Sequence, residues 1–186
     1  MTGHTGRLAW WVSVAVGGVL APGCQMPPAS QPARLSPAAQ EVANAPLEPN
    51  IIAVIARYGL DPFGRMGGSP RTNAFAISAL YLIASTPEGN KGVFGDGIIH
   101  VYMYVLEKDQ AGRPARRLAR EWTFTPEQAM PFRVKKKTVL GHAYRLHCSW
   151  GEEDYLGKRI EIEVTFERRD GRVVRSTPHV ATVPAS

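Results

Sequence analysis

The chain has few cysteines and lacks the short motifs that mark common enzyme classes. Its 186 residues include two cysteines, Cys24 and Cys148, which excludes a small fold held together by several disulfides. No glycine-rich loop stands between a strand pattern and a helix pattern, as phosphate-binding loops do. No serine stands in a Gly-x-Ser-x-Gly frame. The sequence therefore indicates no catalytic residue.

Clustered metal ligands are also missing from the sequence. His142 and His147 are five residues apart, so on a strand their side chains point to opposite faces. Residues 152–154 form a run of acids in a turn, without the spacing of a calcium-binding loop. Cys148 alternates with apolar residues, which predicts a small core residue rather than a nucleophile. We therefore expect no metal ion and no cofactor.

The longest apolar run lies near the N-terminus and is short for a membrane span. It covers residues 8–21, follows Arg7, and is succeeded by Pro22, Gly23 and Cys24. A helix that spans a bilayer needs about 20 apolar residues, whereas the apolar region of a signal peptide has about 7–15. The run therefore predicts export from the cytoplasm.

A small residue before a cysteine at the end of such a run resembles the signal peptide of bacterial lipoproteins. In that family the cysteine thiol takes a diacylglycerol, and cleavage makes this cysteine the new N-terminus. The resemblance implies a signal peptide at residues 1–23, lipidation of Cys24, and anchoring in the cell envelope. Gln25 stands where aspartate favours inner-membrane retention in that family, which points to the outer membrane. A secreted protein cut near Ala21, or a retained apolar anchor, is the alternative.

The stretch after the cysteine differs in composition from the rest of the chain. Residues 25–50 are rich in proline, alanine and serine and contain no aromatic residue. Such a segment cannot bury enough apolar surface to offset the entropy lost on ordering, so residues 24–50 are predicted to be a tether. A short helix near residues 36–45 is an alternative within it. Residues 51–186 then form one domain, which is long enough for a core of its own.

Short runs of alternating or β-branched apolar residues dominate that domain. Glycine- and proline-rich segments at 59–73 and 85–97 are predicted to be loops. The runs predict seven or eight strands and a mainly β fold, an antiparallel two-sheet β-sandwich of immunoglobulin-like or transthyretin-like type. The main predicted strands cover residues 51–57, 74–84, 98–107, 116–124, 141–150, 159–168 and 179–183.

Three local patterns make sharper predictions. Residues 74–84 are apolar on both alternating faces, which predicts a strand buried on both sides. Thr125 and Gln128 have the spacing of a helix-capping box, with proline at the first helical position. Glu161 and Glu163 alternate with apolar residues in the next-to-last long strand. We expect these two carboxylates to lie on a solvated face.

The net charge of +6 lies in the predicted domain, because residues 1–50 contain two arginines and two glutamates. Its densest part is Arg133 with Lys135, Lys136 and Lys137, and Arg116 and Arg117 lie upstream. The sequence predicts that these six residues form an anion-binding patch for lipid head groups, acidic polysaccharide or an envelope protein. Nucleic acid is not expected, because the aromatic residues fall at core positions. The alternative is an edge strand that lysines protect against aggregation.

These features predict an exported, lipid-anchored envelope protein. Its β-sandwich would be a non-catalytic binding or structural module, with the loops at 59–72 and 85–97 as the contact surface. An envelope hydrolase or a carbohydrate-active domain, with a site built from the same loops, is the alternative function.

Overall fold

A computed structural model of the chain describes residues 36–185, which form two β-sheets. The predicted signal peptide, Cys24 and the first part of the predicted tether lie outside the described residues. No helix within 36–185 has the length and apolar character needed to cross a bilayer. The helices are α1 (Pro37–Asn44) and α2 (Pro126–Ala129), with a 3₁₀ helix at Met130–Phe132. The strands are β1 (Leu47–Glu48), β2 (Ile51–Gly64), β3 (Ala74–Thr86), β4 (Gly89–Gly95), β5 (Gly97–Lys108), β6 (Pro114–Phe124), β7 (Tyr144–Ser149), β8 (Arg159–Arg168), β9 (Val173–Arg175) and β10 (His179–Thr182).

Sheet 1 has the strand order β1-β4-β3-β2, and β7 pairs with β3 beyond the end of β4. Sheet 2 has the order β10-β8-β5-β6, and β9 continues the β10 edge beside β8. All pairs are antiparallel except β1 with β4. The prediction of a mainly β chain with two antiparallel sheets is confirmed, and the arrangement is consistent with a β-sandwich.

The core contains the inward-facing residues of both sheets. β5 alternates buried and half-buried residues along its length, as expected for a strand that lies between β8 and β6. Burial of each large aliphatic side chain contributes about 1.5–3 kcal/mol, which makes this layer the main source of stability. Its largest members, all essentially inaccessible to solvent, include Phe75, Ile77, Leu80, Leu82, Met103, Tyr144, Leu146, Trp150 and Phe166.

β3 is buried on both faces, as its sequence predicts. Leu80 and Leu82 face the main core, whereas Tyr81 and Ile83 belong to a second, smaller apolar cluster on the outer side of sheet 1. Residues 133–143 cover that cluster, with Ala143 buried in it and Val134 packed against it. We call residues 133–143 the cover segment. Without it, two large apolar side chains of the central strand would face water.

The cover segment is joined to sheet 1 by a contact between two glycines. Gly92 of β4 donates its N–H to the carbonyl of Leu140, and its own carbonyl accepts from the N–H of His142, both at 2.7 Å. A Cβ on Gly92 would lie 2.4 Å from the carbonyl oxygen of His142. Gly141, opposite, has a φ of +108°, which favours glycine. Both glycines are therefore needed for the two chains to approach this closely.

Two segments predicted to be loops are strands. β4 occupies most of the predicted loop 85–97, and β2 continues to Gly64 through several register shifts. The glycines of β4 indicated a loop, but Gly95 lies against the ring of Phe166, where a Cβ would come within 2.5 Å. Glycine there allows close packing between the sheets rather than a turn. The predicted contact loops are correspondingly shorter.

The predicted tether is also shorter than residues 24–50. Ser36 caps α1 by accepting the N–H of Ala39, and Val42 of α1 is 4% exposed. β1 follows and pairs with β4, with Leu47 opposite Phe94. Residues 37–48 therefore belong to the folded unit. The high proline and alanine content of this segment favoured the prediction of a tether, because Val42 is the one buried residue of the helix.

We predict that Gly92→Ala destabilises the domain by about 1–3 kcal/mol, because the added methyl group forces the cover segment away from β4. Gly64→Ala is the matched control. Gly64 has a negative φ and nothing within 4 Å of an added Cβ, so its effect stays within about 0.5 kcal/mol. Urea unfolding measures both. Equal midpoints for the two variants would contradict the role assigned to the glycine contact.

Candidate functional site

The six cations of the predicted patch do not form one surface. Arg116 and Arg117 lie near the start of β6 in sheet 2, whereas Arg133 and the three lysines belong to the cover segment on sheet 1. Eight residues of extended strand, about 26 Å, separate Arg116 from the end of β6 at Phe124. The chain reaches the cover segment only after that point. The patch is therefore divided between the two sheets.

Arg116 and Arg117 are neutralised by neighbouring carboxylates. Arg116 donates to Glu161 at 2.6 Å and stacks over the ring of Tyr104 at 4.4 Å, and Arg117 donates to Glu107 at 3.2 Å. The hydrogen bond that Arg116 donates to Glu161 raises the pKa of the Arg116 guanidinium. Both positive charges are therefore paired with carboxylates of the same sheet. Neither arginine is available as a free anion-binding group.

The carboxylates of β8 differ from the prediction of a solvated pair. Glu163 is buried at 5% exposure, and Glu161 is half-buried. Arg175 of β9 donates to Glu163 at 3.0 Å, and Arg116 lies 3.6 Å from its other oxygen. Long arginine side chains from the neighbouring strands cover this face, which alternation in β8 alone could not indicate.

Arg133 holds the N-terminal helix rather than a free anion. Its guanidinium donates to the carbonyls of Val42 and Ala43, at 3.2 and 3.3 Å, in the last turn of α1. It also lies over the ring of Phe94, 4.0 Å from the centroid. A cation at the C-terminal end of a helix satisfies carbonyls that have no partner within the helix. Arg133 is thus a structural link between α1, β4 and the cover segment.

A groove beside Arg133 brings together three cations that have no carboxylate partner among the described residues. Lys135 and Lys136 of the cover segment line it together with Arg145 and His147, which point outward from β7. Its volume is about 450 Å³, and no acidic residue lines it. Pro131, Phe132, Arg133 and Val134 complete it. We call this feature the basic groove.

Arg57 extends the positive charge across sheet 1. It is exposed on β2 opposite Ala79, a residue of the outer apolar cluster, so it lies on the same outer face. Ser78 lies between the two arginines: its hydroxyl donates to the carbonyl of Arg57, and its carbonyl accepts from Arg145. Arg57, Arg145 and His147 were not predicted as site residues. Alternation in residues 144–149 placed the last two outward, but only the fold brings them beside the lysines.

The two sheets differ in how their charged side chains are paired. Among residues 36–185, every ion pair involves β5, β6, β8, β9 or the turns next to them, for example Arg169 with Asp96 and Arg120 with Glu153. Within the same part of the chain, no carboxylate oxygen lies within 4.0 Å of a side-chain cation of Arg57, Lys135, Lys136 or Arg145. Within the described residues Lys108, Lys158 and Arg159, in sheet 2 and its adjoining turns, also lack a carboxylate partner. The outer face of sheet 1 differs because it brings Lys135, Lys136 and Arg145 together in one groove without an acid.

A second cleft lies on the other side of the cover segment. It has a volume of about 300 Å³, and both signs of charge line it, with Lys91, Lys137, Glu48 and Glu88 at its walls. His142 packs against Phe94 there, and burial, followed by the charge of Lys137, lowers the pKa of its imidazole. Lys137 thus faces a mixed cleft rather than the basic groove.

One histidine of the described residues contacts carboxylates: the ring nitrogens of His100 lie 3.1 Å from Glu121 and 3.3 Å from Glu167. None of these three residues lines the basic groove or the mixed cleft. Cys148 is fully buried, and burial raises the pKa of its thiol to about 12, which leaves almost no thiolate at neutral pH. Asp96 and Glu153, from two different loops, are each paired with a separate arginine, Arg169 and Arg120. Within residues 36–185, no three His, Cys, Asp or Glu side chains are grouped as metal ligands.

We predict that Arg133→Ala loosens α1 locally. The loss of two charge-assisted hydrogen bonds costs about 1–3 kcal/mol, so amide hydrogen exchange speeds up in residues 40–48. Exchange in the central strand β5 stays slow. Lys135→Ala removes the same charge two residues away and serves as the control. If both variants exchange alike in α1, Arg133 does not hold the helix.

Comparisons with models of known protein families, with curated proteins and with solved structures find no match for this chain.

Proposed function

We propose that the protein is an exported, lipid-anchored component of the bacterial cell envelope and that its domain is a non-catalytic binding module. The leader at residues 1–23 and the cysteine after it support export and anchoring. We assign the two sheets to a sandwich of immunoglobulin-like or transthyretin-like type. In this proposal residues 25–35 form the tether, and the outer membrane is the site of attachment.

The observation that carries the binding role is the uncompensated charge of sheet 1. Lys135, Lys136 and Arg145 line one groove without an acid, whereas Arg116 and Arg117 of the predicted patch each have a carboxylate partner. Repulsion among like charges in one groove disfavours the folded state unless an anion relieves it. An anionic component of the envelope is a partner that would do so.

We do not propose the hydrolase alternative. The segments expected to build its site are largely strand, and Cys148 is inaccessible. His147 is exposed among cations, without a carboxylate to orient it as a general base. Binding therefore accounts for more of what the described residues present.

The anchor has a direct test. We predict that the mature protein, produced with its own leader in a bacterial host, begins at Cys24 and carries a diacylglycerol on that thiol. Intact-mass measurement of the detergent-extracted protein reports both features. An unmodified cysteine, or a cut upstream of it near Ala21, would refute lipid anchoring.

The basic groove has a separate test. We predict that the variant with Lys135→Gln, Lys136→Gln and Arg145→Gln loses most of its salt-sensitive retention on isolated envelope material. Each cation near an anionic surface is worth about 1 kcal/mol, so the loss is about 100-fold. The matched control, Lys108→Gln with Lys158→Gln and Arg159→Gln, removes the same charge from sheet 2 and its adjoining turns. Equal retention of both variants would show that net charge, and not the groove, governs binding.

A further inference from the structure

The N-terminal helix and the basic groove are attached to the same short piece of chain. Arg133 binds the last carbonyls of α1, and Lys135 and Lys136 follow it by two and three residues. Arg133 is also one of the residues that line the groove. The point at which the chain enters the domain is therefore next to the groove.

The chain that precedes α1 is short. Eleven residues, 25–35, separate Cys24 from the cap residue Ser36. Covalent geometry limits such a segment to about 40 Å even when fully extended. A lipid on Cys24 therefore keeps the entry point of the domain, and the groove beside it, within that distance of the bilayer.

We infer that the basic groove is the surface that the domain turns toward its own membrane, and that its ligands are the phosphate head groups of anionic lipids. This inference rests on the lipid anchor of the proposed function. A tether makes the contact intramolecular, so weak individual attractions are enough at the high local concentration of head groups. Lys135, Lys136 and Arg145 are the contact residues, and Arg57 lies on the same face. Arg133 positions the groove beside the tether.

Electrostatics favours this assignment over the opposite orientation. On the outer face of sheet 2, Glu161 pairs with Arg116, whereas the ion-pair partner of both Glu121 and Glu167 is a single histidine, His100. An anionic bilayer would repel these two glutamates. The outer face of sheet 1 offers unpaired cations in a groove without acids. Exposed Leu140 and Val139, on the cover segment, add apolar side chains at the same side of the domain. These can enter the interfacial region of a bilayer.

The experiment is lysine footprinting on the full chain. The protein is produced with its leader, purified in detergent, and reconstituted into vesicles of phosphatidylcholine alone or of phosphatidylcholine with phosphatidylglycerol. A water-soluble acetylating reagent then labels accessible lysines, and mass spectrometry quantifies each one. We expect labelling of Lys135 and Lys136 to fall at least about fivefold in the anionic vesicles and to recover in high salt. Lys108 and Lys158 label equally in both.

The controls separate the inference from the proposed function. Intact mass first shows whether Cys24 carries lipid, and an unlipidated protein that does not enter vesicles refutes the anchor and the inference together. A lipidated protein whose Lys135 and Lys136 label equally in both vesicles refutes the inference and leaves the anchor in place. Protection that appears only when acidic polysaccharide is added to neutral vesicles identifies the polymer as the ligand and overturns the bilayer assignment. The Arg133→Lys variant keeps the charge but loses the paired contacts with α1, and it is expected to weaken protection of the lysines without abolishing it.

Discussion

The central strand of sheet 1 carries large apolar side chains on both faces, and the architecture around it follows from that constraint. One face enters the core between the sheets, and the other needs a separate cover, which residues 133–143 provide. The cover approaches closely only because Gly92 and Gly141 have no side chains where they meet. Arg133, in the same segment, binds the end of α1. The N-terminal helix, the outer cluster and the basic groove thus depend on one covering segment.

Charge is arranged around the same division. In sheet 2 the arginines of β6 and β9 extend over β8 and neutralise its glutamates, so that a buried carboxylate such as Glu163 has two cations nearby. The basic groove, formed by the cover segment and β7, has no acid in its lining, whereas Glu48 and Glu88 line the cleft beside Lys137. The two sheets therefore present different charges on their outer faces. A partner of negative charge would recognise one side and be repelled by part of the other.

Local sequence patterns predicted more of the fold than of the candidate site. Alternation identified β5, β7 and β8, the both-sided apolar run identified β3, and Thr125 with Gln128 forms the predicted capping box. Glycine-rich β4 was missed because glycine serves close packing there. The helix α1 was given only as an alternative to the tether, because its sequence does not show the contact with the distant Arg133. The partners of the predicted site cations could not be read from the sequence, because whether a cation has a carboxylate partner depends on cross-strand neighbours. Arg133 and Lys135 are two residues apart but have different contacts, which sequence proximity does not indicate.

The burial of Cys148 bears on how the chain matures. Its thiol is inaccessible between the sheets, and burial raises its pKa to about 12, so that little thiolate is present at pH 7. Oxidants and mixed disulfides attack thiolates, and this one is both scarce and shielded. Once folded, the domain can pass through an oxidising compartment without crosslinking to neighbouring chains and without help from thiol oxidoreductases. Exposure of the thiol would then report unfolding, which makes Cys148 a built-in probe of the folded state.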